Sequence, residues 1–337
     1  MKEPLTKNQK LARNSLLSKI ETGEYALRAN PCICGKMMDI LIANRDRYNI
    51  SIRTVLCQAC GLVRSDPYYN TVTLSHFYND EYRKLYAIKA GSVEDFFIEQ
   101  TGFGKHIYDF LAEKIFKREI KGKNVLEIGC GAGGILETFK KMGNEVAGCD
   151  YGESYIQFGK SKGLNLFAGG SDTLLNTGLA DIIILNHTFE HMTQPTKELE
   201  QIKKLLAPNG ILYISLPGIY SIHDTYAGKL INGYLQNAHV WYFTLKTLTS
   251  LLSKCGFQLI AGNEIIMAVY KIGLTSQKME VESPEKILYY LKKTKKLRWY
   301  YGLKKFSLRH SAFETLRRFG PLYKMTRTIY RKAKKIQ

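Results

Sequence analysis

Between Lys105 and Gly273, short apolar runs of β character alternate with segments of helical spacing, and this alternation constrains the fold more than any other feature of the chain. The order reads KHIYDFLAEKIF, NVLEIG, GGILETFKKMG, EVAGCD, YIQFGKSKG, NLFAGG, ADIIILN, KELEQIKKLLAPNG, ILYISLP, LKTLTSLLSKCG, FQLIAGNEI and MAVYKIG. Strand and helix taking turns imply βαβ crossovers and a sheet covered by helices on both faces. Ile182, Ile183 and Ile184 follow one another without polar alternation, which suits a strand buried on both sides. Helix ends are expected at Met142-Gly143, Pro208-Asn209-Gly210 and Cys255-Gly256, where glycine or asparagine can turn left-handed. The expected fold class is α/β, doubly wound.

Composition narrows the class further. With 45% hydrophobic and 12% aromatic residues in 337, the chain can bury a full core. No stretch approaches the roughly 18 consecutive apolar residues of a membrane span. The start, MKEPLTKNQKLARNSLLSKI, has no apolar run and no small-residue cleavage site, so a cytoplasmic protein is expected. Seven cysteines fit a disulfide framework poorly. The 49 basic and 30 acidic residues are unevenly placed: residues 286–337 hold 17 Lys or Arg and the single acid Glu314, leaving 32 basic against 29 acidic before them. A basic tail on a near-neutral body is suited to meeting a polyanion.

The strongest motif is Val125-Leu126-Glu127-Ile128-Gly129-Cys130-Gly131-Ala132-Gly133-Gly134, at the end of a predicted strand and the start of a predicted helix. Glycines there let the backbone turn sharply and approach a nucleotide-like ligand. The next strand ends in Cys149 and Asp150, and an acid at that place can accept both ribose hydroxyls. Gly129, Gly131 and Gly134 also satisfy a dinucleotide fingerprint, so two cofactors compete. Glu127 separates them, because a carboxylate beside the loop attracts an ammonium and repels a pyrophosphate.

With Glu127, the loop resembles motif I of class I S-adenosylmethionine-dependent methyltransferases, E/D-x-G-x-G-x-G. ADIIILNHTFEHM is similar to their fourth strand with its x-x-E-H sequence, and KKLLAPNGILYISLP to their L-x-P-G-G-x-L-x-I-x-x-P helix, turn and fifth strand. The resemblance spans roughly residues 105–273 and departs at Asn209, where the family has glycine. It implies a Rossmann-like methyltransferase sheet. The cofactor set it implies is Glu127, Gly129, Cys130, Gly131, Gly133, Asp150, Tyr151 and Asn186, with the adenine contact divided between Ser171 and Asp172.

Cys32-Ile33-Cys34 and Cys57-Gln58-Ala59-Cys60-Gly61 flank a segment of β-branched residues expected to form a hairpin or short sheet. Such pairs can hold a structural zinc ion tetrahedrally at about 2.3 Å. The tight first pair leaves open a ligand such as His76 in place of one cysteine. Cys-x-x-Cys-Gly-Leu-Val followed by Asp-Pro resembles the zinc-binding front module of methyltransferases acting on sugars and cell-surface polysaccharides. Cys130, Cys149 and Cys255 read as packing residues.

A hydroxyl acceptor needs a proton acceptor, and histidine titrates near neutrality. His187, His191, His223 and His239 lie after the fourth and fifth strands, on the carboxyl edge where open α/β sheets bind ligands. His76 and His106 are expected at the surface. The aromatic insertion 218–244 is long enough to cover an acceptor. Its end, His239-Val240-Trp241-Tyr242-Phe243-Thr244, is similar to the H-x-x-Y-F-S/T segment of zinc-containing sugar C-methyltransferases, in which the histidine and a nearby tyrosine belong to the active site. The resemblance thus implies His239 and Tyr242 as catalytic residues, with His191 bordering the cofactor beside them. A basic aromatic tail stands where those C-methyltransferases have a further domain, so oxygen methylation is the expected reaction.

The expected layout is a polar lead-in at 1–30, a separate zinc-binding module at 31–70, a connecting helical segment at 71–104, the methyltransferase domain at 105–275 and a basic tail at 276–337. The tail, with Tyr289, Tyr290, Trp299 and Tyr300 among lysines and arginines, is expected to be helical and to lie on an anionic membrane surface. The expected function is methylation of a sugar of a surface polysaccharide or its lipid-linked precursor, with S-adenosylmethionine and structural zinc as cofactors. The competing readings are an RNA methyltransferase and a non-catalytic membrane- or nucleic-acid-binding protein that keeps the cofactor fold.

Overall fold

The computed structural model describes residues 5–86, 92–222, 231–274 and 280–293. By its contacts the chain divides into a unit of residues 1–290 and a unit of residues 291–337, of which 291–293 are described. The expected helical character of the tail beyond 293, and His223, lie outside the described residues. The tail boundary expected at 276 falls at 291, because the preceding residues pack on the body: Glu282 N donates to Cys60 O at 3.4 Å and Tyr290 Oη to Tyr220 O at 2.7 Å. No helix among the described residues is long and apolar enough to cross a membrane.

Five short strands precede the alternating region: β1 (Leu27–Arg28), β2 (Asp39–Arg45), β3 (Ser51–Cys57), β4 (Val63–Ser65) and β5 (Tyr68–Tyr69). Then come β6 (Asn124–Ile128), β7 (Glu145–Asp150), β8 (Asn165–Ala168), β9 (Ala180–Asn186), β10 (Leu206–Ser215), β11 (Trp241–Tyr242), β12 (Phe257–Ala261) and β13 (Met267–Ile272). The main sheet has seven strands in the order β12-β13-β10-β9-β6-β7-β8. The five from β10 to β8 run parallel, as the alternation implies, but β13 is antiparallel to both β10 and β12. The link between β12 and β13, residues 262–266, is too short for a crossover helix, so the sheet closes on a hairpin.

The unbroken apolar run of β9 is explained by its two faces. Ile182 and Ile184 pack with Ile135, Phe139 and Tyr213 on one side, while Ile183 and Leu185 join Leu199, Ile202 and Leu212 on the other. Gly143 and Gly256 end their helices left-handed, at φ +82° and +80°. The third expected stop differs. The helix Pro195–Leu205 passes directly into β10, and neither Asn209 nor Gly210 has a positive φ. Leu206 pairs with Ala180, the register shifts before Ile211, and a Cβ on Gly210 would come within 2.6 Å of the Ala180 carbonyl. Close strand approach, not a left-handed turn, is what glycine serves there.

At the front, β2 and β3 form the expected antiparallel hairpin, with register shifts. Residues 31–70 are not separate from the body, however. Their sheet has the order β11-β4-β3-β2, and its last strand comes from the insertion after β10. Trp241 stands opposite Arg64 and Tyr242 opposite Val63. Ser65 N donates to Val240 O, Ser65 Oγ to His239 O and Tyr68 Oη to Ala238 O, all at 2.8–2.9 Å. Residues 71–86 form the expected helical connector, broken by a π-helical turn at Phe77–Tyr82.

Asn237 is the buried knot of this junction. Its amide donates to Tyr69 Oη at 2.8 Å, its carbonyl accepts from Tyr86 Oη, and its backbone N–H donates to Asp46 Oδ2 at 3.2 Å. Truncation leaves the Tyr69 hydroxyl without this partner away from water and the Tyr86 hydroxyl with only Asp46 Oδ2 at 3.4 Å, at about 1–3 kcal/mol per group. Asn237→Ala is therefore expected to lower unfolding stability by about 2–4 kcal/mol in urea titration.

Candidate methyl-donor and acceptor site

At the carboxyl end of β6 the backbone takes positive φ at Gly129, Gly131 and Gly133, at 77°, 55° and 83°. Side chains are strained there, and at Gly131 a Cβ would also come within 2.8 Å of the Phe96 ring. Asp150, ending β7, orders the turn: Oδ2 accepts from Gly131 N at 2.9 Å and Oδ1 from Gly152 N at 2.7 Å. Gln100 holds the loop from the other side. Its Oε1 accepts from Ala132 N at 3.2 Å and Gly134 N at 3.3 Å, and its Nε2 donates to Cys130 O at 2.9 Å. The motifs do not point to Gln100; its signal is a polar residue on the buried face of the helix Val93–Leu111, among Phe97, Gly104 and Ile107.

Glu127 lies within β6, 1% exposed, with no hydrogen-bond partner for Oε2. Burial, and then the charge of Asp150, push its carboxyl well above the usual carboxylate range. A cationic group seated there would lower it again. Asn186, half-buried, ends the neighbouring β9, and Cys130 is fully buried and lends the loop its backbone. Of the two adenine candidates, Ser171 is buried at the start of a 3₁₀ turn and Asp172 is exposed. Tyr151 is 74% exposed, its hydroxyl beside Gly170.

The second half of the site follows β9. His187 takes φ +53°, Thr188 lies against Gly129, and Glu190 and His191 come next in a 3₁₀ turn. His239 reaches the same place from the segment held by the front sheet, its ring 4.8 Å from that of His191. Val240 N donates to Glu190 O at 2.9 Å, which ties the two segments together. Burial holds His239 well below its ordinary pKa, and the nearby His191 and Arg47 lower it further, so it is neutral at pH 7. Tyr242 is buried, and its hydroxyl is engaged with the Gln236 backbone, accepting from N at 3.1 Å and donating to O at 2.8 Å. It closes the loop that presents His239. The motifs pass over Tyr78, whose ring is 6.2 Å from His191 and whose buried hydroxyl has no hydrogen-bond partner. It projects from the π-helical turn, a feature that sequence periodicity does not reveal.

The four front cysteines converge. Cys32 Sγ lies 3.5 Å from Cys60 and 3.4 Å from Cys34, and Cys34 lies 3.6 Å from Cys57. A tetrahedral zinc site with bonds near 2.3 Å needs sulfur separations of about 3.8 Å, so the set fits such an ion after a small expansion. Burial pushes the Cys57 thiol up to about 11, a cost that metal binding would reverse. His76 is exposed and is not part of the cluster, so the substitution left open for it does not occur. His106 is at the surface, as expected, and Cys130 and Cys149 are buried.

Residues 103–261 match the family model described as "Methyltransferase domain". This part of the chain is a methyltransferase domain. It is 32% identical over 119 residues to a ubiquinone biosynthesis O-methyltransferase of Coxiella burnetii, covering 33% of this chain and 51% of that protein. It is 23% identical over 162 residues to the C-methyltransferase NovU of Streptomyces niveus, covering 46% and 37%. The chain thus spans about half or less of these relatives' lengths. Among solved structures, the plantazolicin methyltransferase BpumL with SAH is 18% identical, covering 67% of this chain and 88% of that one, at a TM-score of 0.45. A S-adenosylmethionine-dependent methyltransferase from Clostridium acetobutylicum is 11% identical over 50% and 92%, at 0.40.

A donor ammonium seated against Glu127 would make donor binding pH-dependent. A carboxyl that holds its proton in the free protein and loses it to face an ammonium releases that proton on binding, so affinity rises with pH. S-adenosylmethionine is expected to bind more tightly as pH rises above the ordinary carboxylate range, where the raised Glu127 carboxyl ionises. In Glu127→Gln the affinity should be weaker and its pH slope flat, as read by calorimetry in two buffers of different ionisation enthalpy.

Proposed function

We propose that this chain transfers a methyl group from S-adenosylmethionine to a hydroxyl of a sugar in a surface polysaccharide or its lipid-linked precursor. The observation that carries the donor half is the buried Glu127 carboxyl, whose Oε2 has no hydrogen-bond partner, at the glycine turn of a methyltransferase domain. When bound, the donor supplies a methyl group on a positively charged sulfur. Glu127 would receive its ammonium and Asp150 its ribose, while Gln100 keeps the loop in shape.

Thr188, against Gly129, joins this half to Glu190, His191 and His239. That cluster would take up the acceptor oxygen and remove its proton, with alignment supplying roughly 7–11 kcal/mol of the barrier. Tyr242 would position His239 through the Gln236 loop. Structural zinc on the four cysteines would stiffen the sheet that ends in the His239 segment, which supports the likeness to zinc-containing sugar methyltransferases. An O-methyltransferase and a C-methyltransferase both stand among the relatives, and a hydroxyl acceptor needs the simpler chemistry.

Residues 286–337, with 17 basic residues and one acid, would bring the enzyme to an anionic membrane surface where lipid-linked sugars are presented. Flotation with phosphatidylserine vesicles is expected for the full chain and not after removal of residues 291–337; equal flotation of both forms would remove the membrane role.

For the reaction, labelled methyl from S-adenosylmethionine is expected in lipid-linked sugars and not in RNA. His239→Ala should lower turnover by about 10²–10⁴ while leaving donor affinity nearly unchanged. Label in RNA alone, or full turnover of the variant, would sink the reading.

A further inference from the structure

Besides the four cysteines, one other group of metal-capable side chains occurs among the described residues: Glu190, His191 and His239, whose donor atoms lie within 4.8 Å of one another. Glu190 is 1% exposed, and neither of its carboxylate oxygens has a hydrogen-bond partner. An unpaired carboxylate shut away from water is strongly unfavourable.

Imidazole nitrogens surround it without reaching it. Glu190 Oε1 is 3.6 Å from His187 Nδ1, 3.9 Å from His191 Nε2 and 3.9 Å from His239 Nε2. Those gaps are too long for hydrogen bonds, yet close to the separations of about 3.4 Å between ligands that share one ion at bonds near 2.0–2.1 Å. His191 Nδ1 lies 2.9 Å from the Ala238 carbonyl, so that nitrogen carries the proton and Nε2 offers its lone pair towards Glu190. A carbonyl behind the imidazole is the outer-shell support that metal-ligating histidines use. The Gln236 side-chain amide also lies against His239 Nε2 and would turn its oxygen to the ion or give way.

We infer that Glu190, His191 and His239 bind a divalent first-row transition-metal ion. Two imidazoles and one carboxylate favour zinc, manganese, iron or cobalt over magnesium or calcium. Three protein ligands leave positions open, on the side of the half-exposed His187 and next to the Gly129–Thr188 contact where the donor would sit. In the methyl-transfer reading, on which this role rests, an open position takes the acceptor hydroxyl. With the ion bound, the cluster removes the proton by acidifying the hydroxyl and not through a free imidazole: the proton passes to water, the oxygen forms the bond to the methyl carbon, and the sulfur keeps the electron pair of the broken S–C bond.

The ion can be counted without any turnover. Full-length protein loaded with zinc, freed of excess metal and analysed by mass spectrometry is expected to hold two zinc ions per chain. Glu190→Gln and His239→Asn should each hold one, with unchanged circular dichroism and S-adenosylmethionine affinity, whereas Cys57→Ser should lose the other ion. Cobalt loading separates the two sites independently, because only the cysteine-bound ion has thiolate charge-transfer absorption, which should persist in Glu190→Gln. One ion per chain in the native protein, or two retained in both variants, would overturn the inference. Metal counts that match while no acceptor is methylated would leave the ion in place and remove the reaction instead.

Discussion

The pairing of Val63 and Arg64 with Tyr242 and Trp241 is the contact on which the site depends. It makes the front sheet and the insertion after β10 one structure, so the cysteine cluster and His239 stand at opposite ends of shared strands. The joint is polar and buried. Ser65, Tyr68, Tyr69, Tyr86 and Asp46 all bond to residues 237–240, and the backbone of that segment is held at nearly every step. A loop anchored by buried hydrogen bonds in a low-dielectric setting is held more rigidly than one resting on apolar contact alone.

Two buried carboxylates give the site its electrical character. Glu127 and Glu190 are each 1% exposed, each has an oxygen without a hydrogen-bond partner, and the Gly129–Thr188 contact lies between their segments. Such groups are destabilising in the free protein. In the proposed reading a ligand offsets the cost: a cationic donor at Glu127, and a metal ion among the imidazoles at Glu190. Asp150 differs, because backbone N–H groups of Gly131 and Gly152 already satisfy it. These bonds shape the loop whether or not a ribose is present.

Much of the donor half was legible in the sequence, because it is local. The run Glu127 to Gly134, Asp150 at the end of the next strand and the apolar β9 are each set by strand–turn–helix geometry over a few residues, and the structure has them as read. Where the reading erred, a longer-range contact prevailed: Ala180 drew residues 206–211 into the sheet in place of a left-handed turn at Asn209, and the short link to β13 reversed the last strand.

The acceptor half is another matter. Letter patterns singled out His191 and His239 separately, but nothing in them says that the two rings lie 4.8 Å apart with a buried Glu190 behind, or that Gln100 grips the glycine loop. Nor do they reveal that Trp241–Tyr242 completes the sheet begun by residues 39–65. The alternating runs and the glycine motif thus determined the α/β class and the turn at the end of β6, since backbone sterics and burial act over neighbouring residues. Only the tertiary structure decided how the front sheet delivers His239 to Glu190, because that depends on strand pairing between segments some 175 residues apart, whose partners local propensity cannot specify.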